Sequence, residues 1–434
     1  MSWITLFSIV LLFLFFFFAC GQRIAFALGF ASIMGFIITG DFSGMQLIGR
    51  AVWKSVNSFD ISAIPLFIFM GEIVISCNLS GRFYGGANTW FARIPGGFFQ
   101  TNIISCAIFA AISGSSVATA AAIGSVAFPE LDDRGYDKKI NLGTLCAGGA
   151  LGLLIPPSTT FLIYGAITGT SVAKLFMAGV VPGVIVVLLF MAYVLIRVKL
   201  NPSLVPDLPP KPTWKEKGKG LIDMAPFLTI MLAIFVSIYR GWCTPTEAAA
   251  LSAFLAAFFA LLYKELSFKR IVDSAIKTIL SSAMIFFIII SAQVFSSLIT
   301  KAGISRGMLR WFTGAGFENI TVFLGIVVIY LILGCLMDGT SVTYFTLPLL
   351  FPLVKTMGYD PIWFGVIVCI LIETGMITPP VGMNLFVLMG ISGKRATFRD
   401  ICAGSLPFVG IFLLMVLILY LFPTIATWLP ATMG

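Results

Sequence analysis

The sequence predicts an all-α polytopic membrane protein built from two inverted-topology repeats, each with a re-entrant helical hairpin and a broken helix. Three observations support this fold class: an apolar composition, an order of short motifs that occurs once in each half, and an uneven distribution of Lys and Arg. Of the 434 residues, 59% are hydrophobic and 10% are charged, and the mean hydropathy is +1.05. At about 20 residues per spanning helix, this length allows about a dozen passages and no sizeable soluble domain.

The same order of motifs occurs in both halves. In the first half, residues 113–117 (SGSSV) are followed by Gly-Tyr-Asp and, 19 residues after that Asp, by Pro156 of a Pro-Pro pair. In the second half, residues 338–342 (DGTSV) are followed by Gly-Tyr-Asp and, again 19 residues on, by Pro379 of a Pro-Pro pair. Glycines, hydroxyls and paired prolines within apolar sequence are typical of the interrupted helices that form a transporter's binding site.

A helical hairpin is expected at residues 98–129 and again at 320–357. Each stretch is long enough for one span but contains a polar, glycine-containing middle. Ser115 or Ser116 can accept hydrogen bonds from the free N–H groups of a starting helix, so either is a candidate N-cap for the Ala-rich returning stretch. A kinked ordinary span is the alternative at each place, and the repetition favours hairpins.

A broken helix is expected after each hairpin. Paired glycines and prolines interrupt residues 140–165, and Gly375 with a second Pro-Pro pair interrupts 361–389. Pro removes a backbone donor and clashes with the preceding turn. Unwound backbone at membrane depth is tolerated only where it lines a cavity or is buried in protein, and its freed carbonyls can bind a cation.

The remaining apolar stretches are interpreted as ordinary spans. The first, residues 1–20, is interpreted as a retained helix because no Lys or Arg precedes it as a signal peptide requires. Residues 81–97 have the composition of an interfacial amphipathic segment, and 201–220 form a linker rich in Pro and Lys. The other predicted spans are 24–40, 60–77, 172–197, 223–239, 244–263, 280–300 and 400–423.

The basic residues predict the orientation. Tracing these spans places 19 Lys and Arg residues on one side and 8 on the other, and the positive-inside rule makes the richer side cytoplasmic. Both termini then face the periplasm, and the second repeat enters the membrane from the side opposite to the first. The net charge of +9 is explained by these short basic groups, so no nucleic-acid partner is expected.

Several other classes of function are disfavoured. Histidine is absent, which excludes Ser-His catalysis and His-based zinc sites, and the eight cysteines form no C-x-x-C pair. An intramembrane aspartyl protease would need a pair of membrane Asp residues, but Asp137 lies in a charged loop and Asp360 falls on the opposite side. No enzymatic activity is expected. An ion channel is a further alternative, since re-entrant loops also build selectivity filters.

Five motifs resemble the large membrane subunit of tripartite ATP-independent periplasmic (TRAP) transporters, within the wider ion transporter superfamily. They are residues 65–72 (PLFIFMGE), 113–116 (SGSS) with its Ala-rich sequel, 155–158 (IPPS), 244–249 (TPTEAA) and 378–380 (TPP). The resemblance covers nearly the whole chain. It implies an elevator-type mechanism in a bacterial inner membrane, in which a transport domain moves against a scaffold and takes up an organic acid anion with sodium ions.

The resemblance also implies partners and a division of the chain. A periplasmic binding protein delivers the substrate, and a separate small four-helix membrane subunit braces the scaffold within the membrane lipid. The implied parts are scaffold helices and an interfacial arm (1–97), a first hairpin and broken helix (98–170), a connecting helix and cytoplasmic linker (171–222), scaffold helices and a second arm (223–317), a second hairpin and broken helix (318–390) and a C-terminal helix (391–434).

Two sodium sites are implied where the motifs match. The first set is Ser113, Ser115, Gly152, Ile155 and Pro157, and the second is Gly339, Thr340, Gly375 and Thr378. Sodium needs several hard oxygen ligands, and these segments offer hydroxyls and freed carbonyls. For Ser115 or Thr340 taken singly, a helix cap or a back-bonded hydroxyl is the alternative, and the twofold occurrence favours the sites.

The substrate and coupling groups are less well specified by the sequence. Asp338 and Glu373 flank the second site and could be ligands, pairing groups or proton carriers. No Lys or Arg lies at either tip, so helix N-termini and hydroxyls are expected to meet a carboxylate, with Ser116, Ser158, Ser341 and Asn384 as candidates. Glu72 and Glu247 are expected to have structural roles. A C4-dicarboxylate, a sialic acid or another sugar acid is the expected substrate, and a self-sufficient proton- or sodium-coupled anion carrier is the alternative function.

Overall fold

The structure is a computed structural model that describes residues 2–40, 46, 48–50, 52–53, 57, 59–206, 211–314 and 318–433. The regular elements within these residues are α-helices and short 3₁₀ helices. The α-helices in chain order are α1 (Trp3–Ala19), α2 (Ile24–Ile38), α3 (Ala63–Ser76), α4 (Leu79–Phe91), α5 (Phe98–Ser113), α6 (Ser116–Asp133), α7 (Lys138–Gly149), α8 (Thr159–Thr168), α9 (Val172–Leu200), α10 (Trp214–Tyr239), α11 (Pro245–Leu262), α12 (Phe268–Lys301), α13 (Ile304–Gly314), α14 (Asn319–Leu336), α15 (Gly339–Thr356), α16 (Pro361–Met376), α17 (Met383–Ser392), α18 (Phe398–Leu421) and α19 (Thr424–Ala431).

Fewer helices are long enough to cross a membrane alone than the sequence estimate of about a dozen passages. In the described ranges, α9, α10, α11, α12, α14 and α18 meet the length and hydropathy of a span, and α3 with α4 forms a pair bent by 73°. Helices α1, α2, α5, α8 and α16 are apolar but shorter. The difference arises because hairpins and broken helices divide the chain into pieces of 10 to 18 residues.

The two halves repeat one order of elements. Two hairpins, α5–α6 and α14–α15, are each followed by a broken helix, α7–α8 and α16–α17, and by a long helix, α9 and α18. The second half of each broken helix packs against the returning arm of the other repeat's hairpin, α8 on α15 and α17 on α6. The helices that precede the hairpins pack mainly with one another, α3 on α11, α4 on α10 and α2 on α12. The inverted repeats are therefore interlocked at their hairpins and broken helices.

The central linker is shorter than the sequence predicts. Helix α10 begins at Trp214 rather than near residue 223, because Thr213 and Glu216 form a capping box. The preceding segment contains a 3₁₀ turn, Pro202–Leu204, and the middle of the predicted linker, residues 207–210, lies outside the described residues. Helix α12 likewise begins at Phe268 rather than near 280, capped by the side chain of Ser267.

The two acidic residues of the family-like motifs outside the tips have structural contacts. Glu247 forms a capping box with Thr244 at the start of α11. Glu72 of α3 lies 3.7 Å from the ammonium group of Lys277 on α12 and forms an ion pair between these two helices. The Gly-Tyr-Asp motifs are also structural, since the side chains of Asp137 and Asp360 cap α7 and α16.

Candidate transport site

The tip of the first hairpin is a single tight turn. Helix α5 ends at Ser113, Gly114 adopts φ +57°, and Ser115 is the N-cap of α6. The Ser115 hydroxyl accepts a hydrogen bond from the N–H of Ala118 at 3.3 Å, so of the two predicted candidates Ser115 is the cap. Ser113 Oγ donates to the carbonyl oxygen of Ser115 at 3.2 Å. The hydroxyls of Ser113 and Ser115 therefore order the turn itself.

This tip rests on the break in the α7–α8 helix. A Cβ added to Gly152 would lie 2.6 Å from the carbonyl oxygen of Ser115, and one on Gly114 would lie 2.8 Å from the carbonyl oxygen of Pro157. Thr159 Oγ1 donates to the carbonyl oxygen of Gly114 at 3.0 Å. Four of the five predicted residues of the first site, Ser113, Ser115, Gly152 and Pro157, thus meet at one place.

The fifth residue, Ile155, belongs to the same break but its side chain points elsewhere. It faces Gly183 of α9, where an added Cβ would lie 3.0 Å from Ile155 Cγ1. The break contains a 3₁₀ turn, Ala150–Leu153, and a cis bond between Pro156 and Pro157. Any contribution of Ile155 to an oxygen site comes from its backbone carbonyl.

The tip of the second hairpin is built around Asp338. Its carboxylate accepts hydrogen bonds from the N–H of Ser341 at 3.1 Å and from the hydroxyls of Thr340 and Ser341. Asp338 is the N-cap of α15, the place that Ser115 has in the first hairpin. The carboxylate is therefore a structural part of the tip, and the Thr340 hydroxyl is turned toward it.

The second hairpin meets the α16–α17 helix through the last turn of α14, just before its tip. A Cβ on Gly375 would lie 2.5 Å from Cα of Gly334 in α14, and the N–H of Gly382 donates to the carbonyl oxygen of Cys335 at 3.0 Å. Thr378 Oγ1 donates to the carbonyl oxygen of Thr374 at 2.6 Å, which leaves the acceptor side of this hydroxyl available. This break also has a cis Pro-Pro bond.

Glu373 corrects one expectation from the sequence. It belongs to the broken helix of the second repeat and was expected beside the second site, yet its side chain reaches the first repeat. Ser116 Oγ donates to Oε2 at 2.9 Å, and the N–H of Leu153 donates to Oε1 at 2.7 Å. Glu373 is 0% exposed. The reason is the interlocked packing of the repeats, which places α16 beside the first break.

The four predicted substrate candidates are separated by the structure. Ser341 lines a cavity that is described below. Ser116 and Asn384 are buried in the Glu373 cluster, where the Asn384 amide donates to Ser116 Oγ at 2.9 Å. Ser158 is buried as the N-cap of α8 and accepts from the N–H of Phe161 at 3.4 Å. Only Ser341 is therefore placed to meet a ligand that enters from a cavity.

A cavity of about 620 Å³ lies between the second hairpin and the helices α2 and α12. This volume is in the range of small-molecule sites, about 300–1,000 Å³. Its polar and charged side chains are Asp338 and Ser341 at the tip and Arg23 at the start of α2; its other lining residues are Ile24, Ala25, Phe26, Leu280, Ala283, Met284, Phe287, Ile288, Leu336, Met337 and Met383.

Arg23 is the residue that the sequence analysis missed. In the sequence, Arg23 is only one of the basic residues that predict the orientation, and it lies in neither of the two tip motifs. Arg23 comes from a helix far from Asp338 in the sequence, and no local pattern joins them. The tips do lack Lys and Arg, as predicted, but the cavity beside the second tip contains a guanidinium group.

The two tips and breaks offer mainly oxygen donors. Among the described residues, no group of three or more His, Cys, Asp or Glu side chains could hold a metal ion. The polar groups near the breaks are hydroxyl and backbone carbonyl oxygens, and the Ser115 carbonyl already accepts hydrogen bonds from Ser113 and Thr119. Oxygens of these two kinds are the ligand types that coordinate sodium in transporters.

Comparisons with known proteins agree with this architecture. The solved structure of the YdaH transporter of Alcanivorax borkumensis is similar with a TM-score of 0.65 and 13% identity, covering 89% of both chains. At this identity the similarity shows the fold alone.

Sequence comparisons identify the family. The family described as "Tripartite ATP-independent periplasmic transporter, DctM component" matches residues 11–425. The C4-dicarboxylate TRAP transporter large permease protein DctM of Pseudomonas aeruginosa is 34% identical over 388 residues, covering 88% of this chain and 89% of the relative. The isethionate TRAP transporter permease protein DctMQ of Oleidesulfovibrio alaskensis is 33% identical over 420 residues, 94% of this chain and 64% of the relative. The chain therefore belongs to the TRAP transporter family, as a large permease of the DctM type and a multi-pass membrane protein.

Proposed function

We propose that this chain carries out sodium-coupled secondary active uptake of an organic acid anion across a bacterial inner membrane, by elevator-type alternating access. The observation that supports this most strongly is the doubled arrangement of a hairpin packed closely on a broken helix, with hydroxyl and carbonyl oxygens beside both contacts. A single such contact could be a structural turn. Two, related by the repeat, fit a carrier that binds cations at matching positions.

Sodium is the proposed co-substrate at both tips. At the first, Ser113, Ser115, Gly152, Ile155 and Pro157 supply hydroxyl or carbonyl oxygens. At the second, Gly339, Thr340, Gly375 and Thr378 do so, and the carboxylate of Asp338 adds negative charge near the cation. The tips lack the titrating His of a proton relay, which favours sodium over protons as the coupling ion.

The substrate is proposed to be an organic anion held in the cavity beside the second tip. Two features support this: the guanidinium of Arg23 and the hydroxyl of Ser341 line the cavity, and the apolar remainder can cover a short carbon chain. The relatives described above are named for a C4-dicarboxylate and for isethionate, both small anions. A sialic acid or another sugar acid is a further candidate of the same charge type.

The chain is proposed to work with a periplasmic binding protein and a small four-helix membrane subunit. The relative named DctMQ is longer, and this chain covers 64% of it. The helices that precede the hairpins form the proposed scaffold, braced by the small subunit and membrane lipid, while hairpins and broken helices move together. Both termini are proposed to be periplasmic, as the Lys and Arg distribution predicts.

Reconstitution tests the function. The chain, the small subunit and the binding protein that belongs with it are placed in liposomes, and uptake of labelled dicarboxylate, isethionate or sialic acid is measured with and without an inward sodium gradient. We expect saturable uptake that requires the gradient and all three proteins. Uptake by the chain alone would favour the self-sufficient carrier, and unitary conductance would favour a channel.

A further inference from the structure

Glu373 joins the two repeats at their most constrained parts. Its carboxyl group accepts a hydrogen bond from the hydroxyl of Ser116 at 2.9 Å and another from the N–H of Leu153 at 2.7 Å, and Glu373 is wholly buried. The amide of Asn384 donates to Ser116 Oγ at 2.9 Å and to the carbonyl oxygen of Cys146 at 3.3 Å. One acidic side chain of the second repeat therefore holds two backbone segments of the first.

Both segments that Glu373 holds belong to the first proposed sodium site. Ser116 directly follows Ser115 at the hairpin tip, and Leu153 directly follows Gly152 in the 3₁₀ turn of the break. The Ser115 carbonyl lies against Gly152. Because Glu373 holds Ser116 and Leu153, the neighbours of Ser115 and Gly152, it also fixes the distance between the hairpin tip and the break.

The helix that carries Glu373 leads directly into the second site. Gly375 and Thr378 follow Glu373 in the last turn of α16 and in the break that ends it. The side chain of Leu153 also approaches the second tip, because a Cβ on Gly339 would lie 2.8 Å from Leu153 Cδ1. The two proposed sites are thus connected through the side chain of Leu153 and the last turn of α16.

A purely structural explanation accounts poorly for an acid at this position. Burying a carboxyl group costs free energy that an apolar side chain of similar volume does not cost, and such replacements are often neutral or stabilising. A bridge of this kind stays in place only while both donors keep their positions, so it makes the geometry of one site depend on the other.

We propose that Glu373 is a positioning residue that makes sodium binding at the two hairpin tips cooperative. Binding at the first tip fixes Ser116 and Leu153, these hold Glu373, and Glu373 holds the end of α16 in the form that the second site needs. The inference rests on the proposed sodium coupling and adds to it a physical connection between the sites.

Direct sodium binding to the purified full-length chain tests the proposal without relying on transport. Equilibrium binding of radioactive sodium gives a half-saturation concentration and a Hill coefficient, whose upper limit for two coupled sites is about 2. Glu373→Asp keeps the carboxyl group but shortens it by one methylene, so it cannot reach both donors. Ser116→Ala removes one donor and leaves Glu373 intact. Cys106→Ala, a buried change in α5 that removes no hydrogen bond among the described residues, is the matched control.

We expect the unaltered chain and Cys106→Ala to bind sodium with a Hill coefficient well above 1. Glu373→Asp and Ser116→Ala should lower it toward 1 while some sodium binding remains. Melting temperatures measured on the same samples separate a general loss of stability from a loss of coupling. If Glu373→Asp does not fold, the Hill coefficient of Ser116→Ala is compared with that of the unaltered chain instead.

The contrary results are distinct. Two independent sites in the unaltered chain, or unchanged cooperativity in both bridge variants, would overturn the role of Glu373 and leave sodium coupling intact. Failure of the unaltered chain to bind sodium would overturn the proposed function itself, together with this inference.

Discussion

Gly152 and the carbonyl group of Ser115 are in direct contact, and an added Cβ on Gly152 would lie 2.6 Å from that oxygen. In the second repeat, Gly375 is similarly close to the backbone of Gly334 in α14, where the added Cβ would lie 2.5 Å from Gly334 Cα. In both repeats a glycine of the broken helix thus allows the hairpin to approach the backbone closely. A side chain at either place would push the tip away from the break.

Gly152→Ala and Gly375→Ala should each severely reduce sodium-driven uptake. The methyl group meets backbone, which cannot rotate away, so a penalty of about 1–3 kcal/mol is expected from overpacking alone. Uptake and half-saturating sodium concentration in liposomes are the measurements. Gly410→Ala in α18 is the control, since no atom lies within 4 Å of an added Cβ there. Uptake by Gly375→Ala equal to that of the control would mean that the close approach is not required.

Ser115→Ala and Thr340→Ala should each weaken the apparent affinity for sodium. Ser115 loses the cap of α6, and Thr340 loses the hydroxyl bound to Asp338, each with the loss of one potential ligand oxygen. A loss of about 1–2 kcal/mol is expected, which corresponds to about a tenfold rise in half-saturating sodium.

The double variant should be worse than either single one, and Cys106→Ala should leave the sodium dependence nearly unchanged. Uptake that follows a proton gradient and ignores sodium, in both the parent and Thr340→Ala, would contradict the site assignment. Asp338 and Glu373 would then be the leading groups for proton coupling.

The doubled architecture could be predicted because its determinants are local. A Pro-Pro pair breaks a helix wherever it occurs, and a Ser after Gly caps the next helix, so the tip at Ser115 and the break at Pro156 follow from short motifs. The cap at Asp338 belongs to the same class, although its role as the centre of the second tip was not anticipated.

The contacts that were missed are long-range. The direction of Glu373 depends on how α16 packs beside the first repeat, and the place of Arg23 depends on how α2 faces the second tip. Neither of these helix contacts can be predicted from motif spacing or from hydrophobic periodicity in the sequence. The early start of α10 was missed for a different reason: prolines and lysines around Thr213 resemble a linker and obscured its capping box with Glu216.

Labelling from the two sides of the membrane tests the orientation. Lys174 and Lys215 are exposed residues. Lys174 lies at the start of the 29-residue α9, and the central linker follows the other end of this helix, about 40 Å away. Single cysteines at these positions, in a background in which the partly or fully exposed Cys20, Cys243 and Cys402 are replaced, should react from opposite sides. We expect position 215 to be reached only from the cytoplasm. Labelling of both positions from one side would contradict the inverted-repeat orientation.

Arg23→Gln should weaken substrate binding while sodium binding to the purified chain stays nearly unchanged. The guanidinium is the cationic group in the lining of the cavity beside the second tip, and Arg23 is the N-cap of α2, outside both proposed sodium sites. A charge-assisted hydrogen bond is worth about 1.5–3 kcal/mol, and the exposure of Arg23 reduces this, so about a tenfold rise in the substrate concentration for half-maximal uptake is expected. Lys219→Gln, an exposed change on α10 away from the cavity, is the control for loss of one positive charge. If both changes raised the half-maximal substrate concentration equally, Arg23 would be only one of the basic residues that set the orientation. If only Arg23→Gln raised it, and more for a doubly charged dicarboxylate than for a singly charged sulfonate, Arg23 would be identified as a substrate-binding residue.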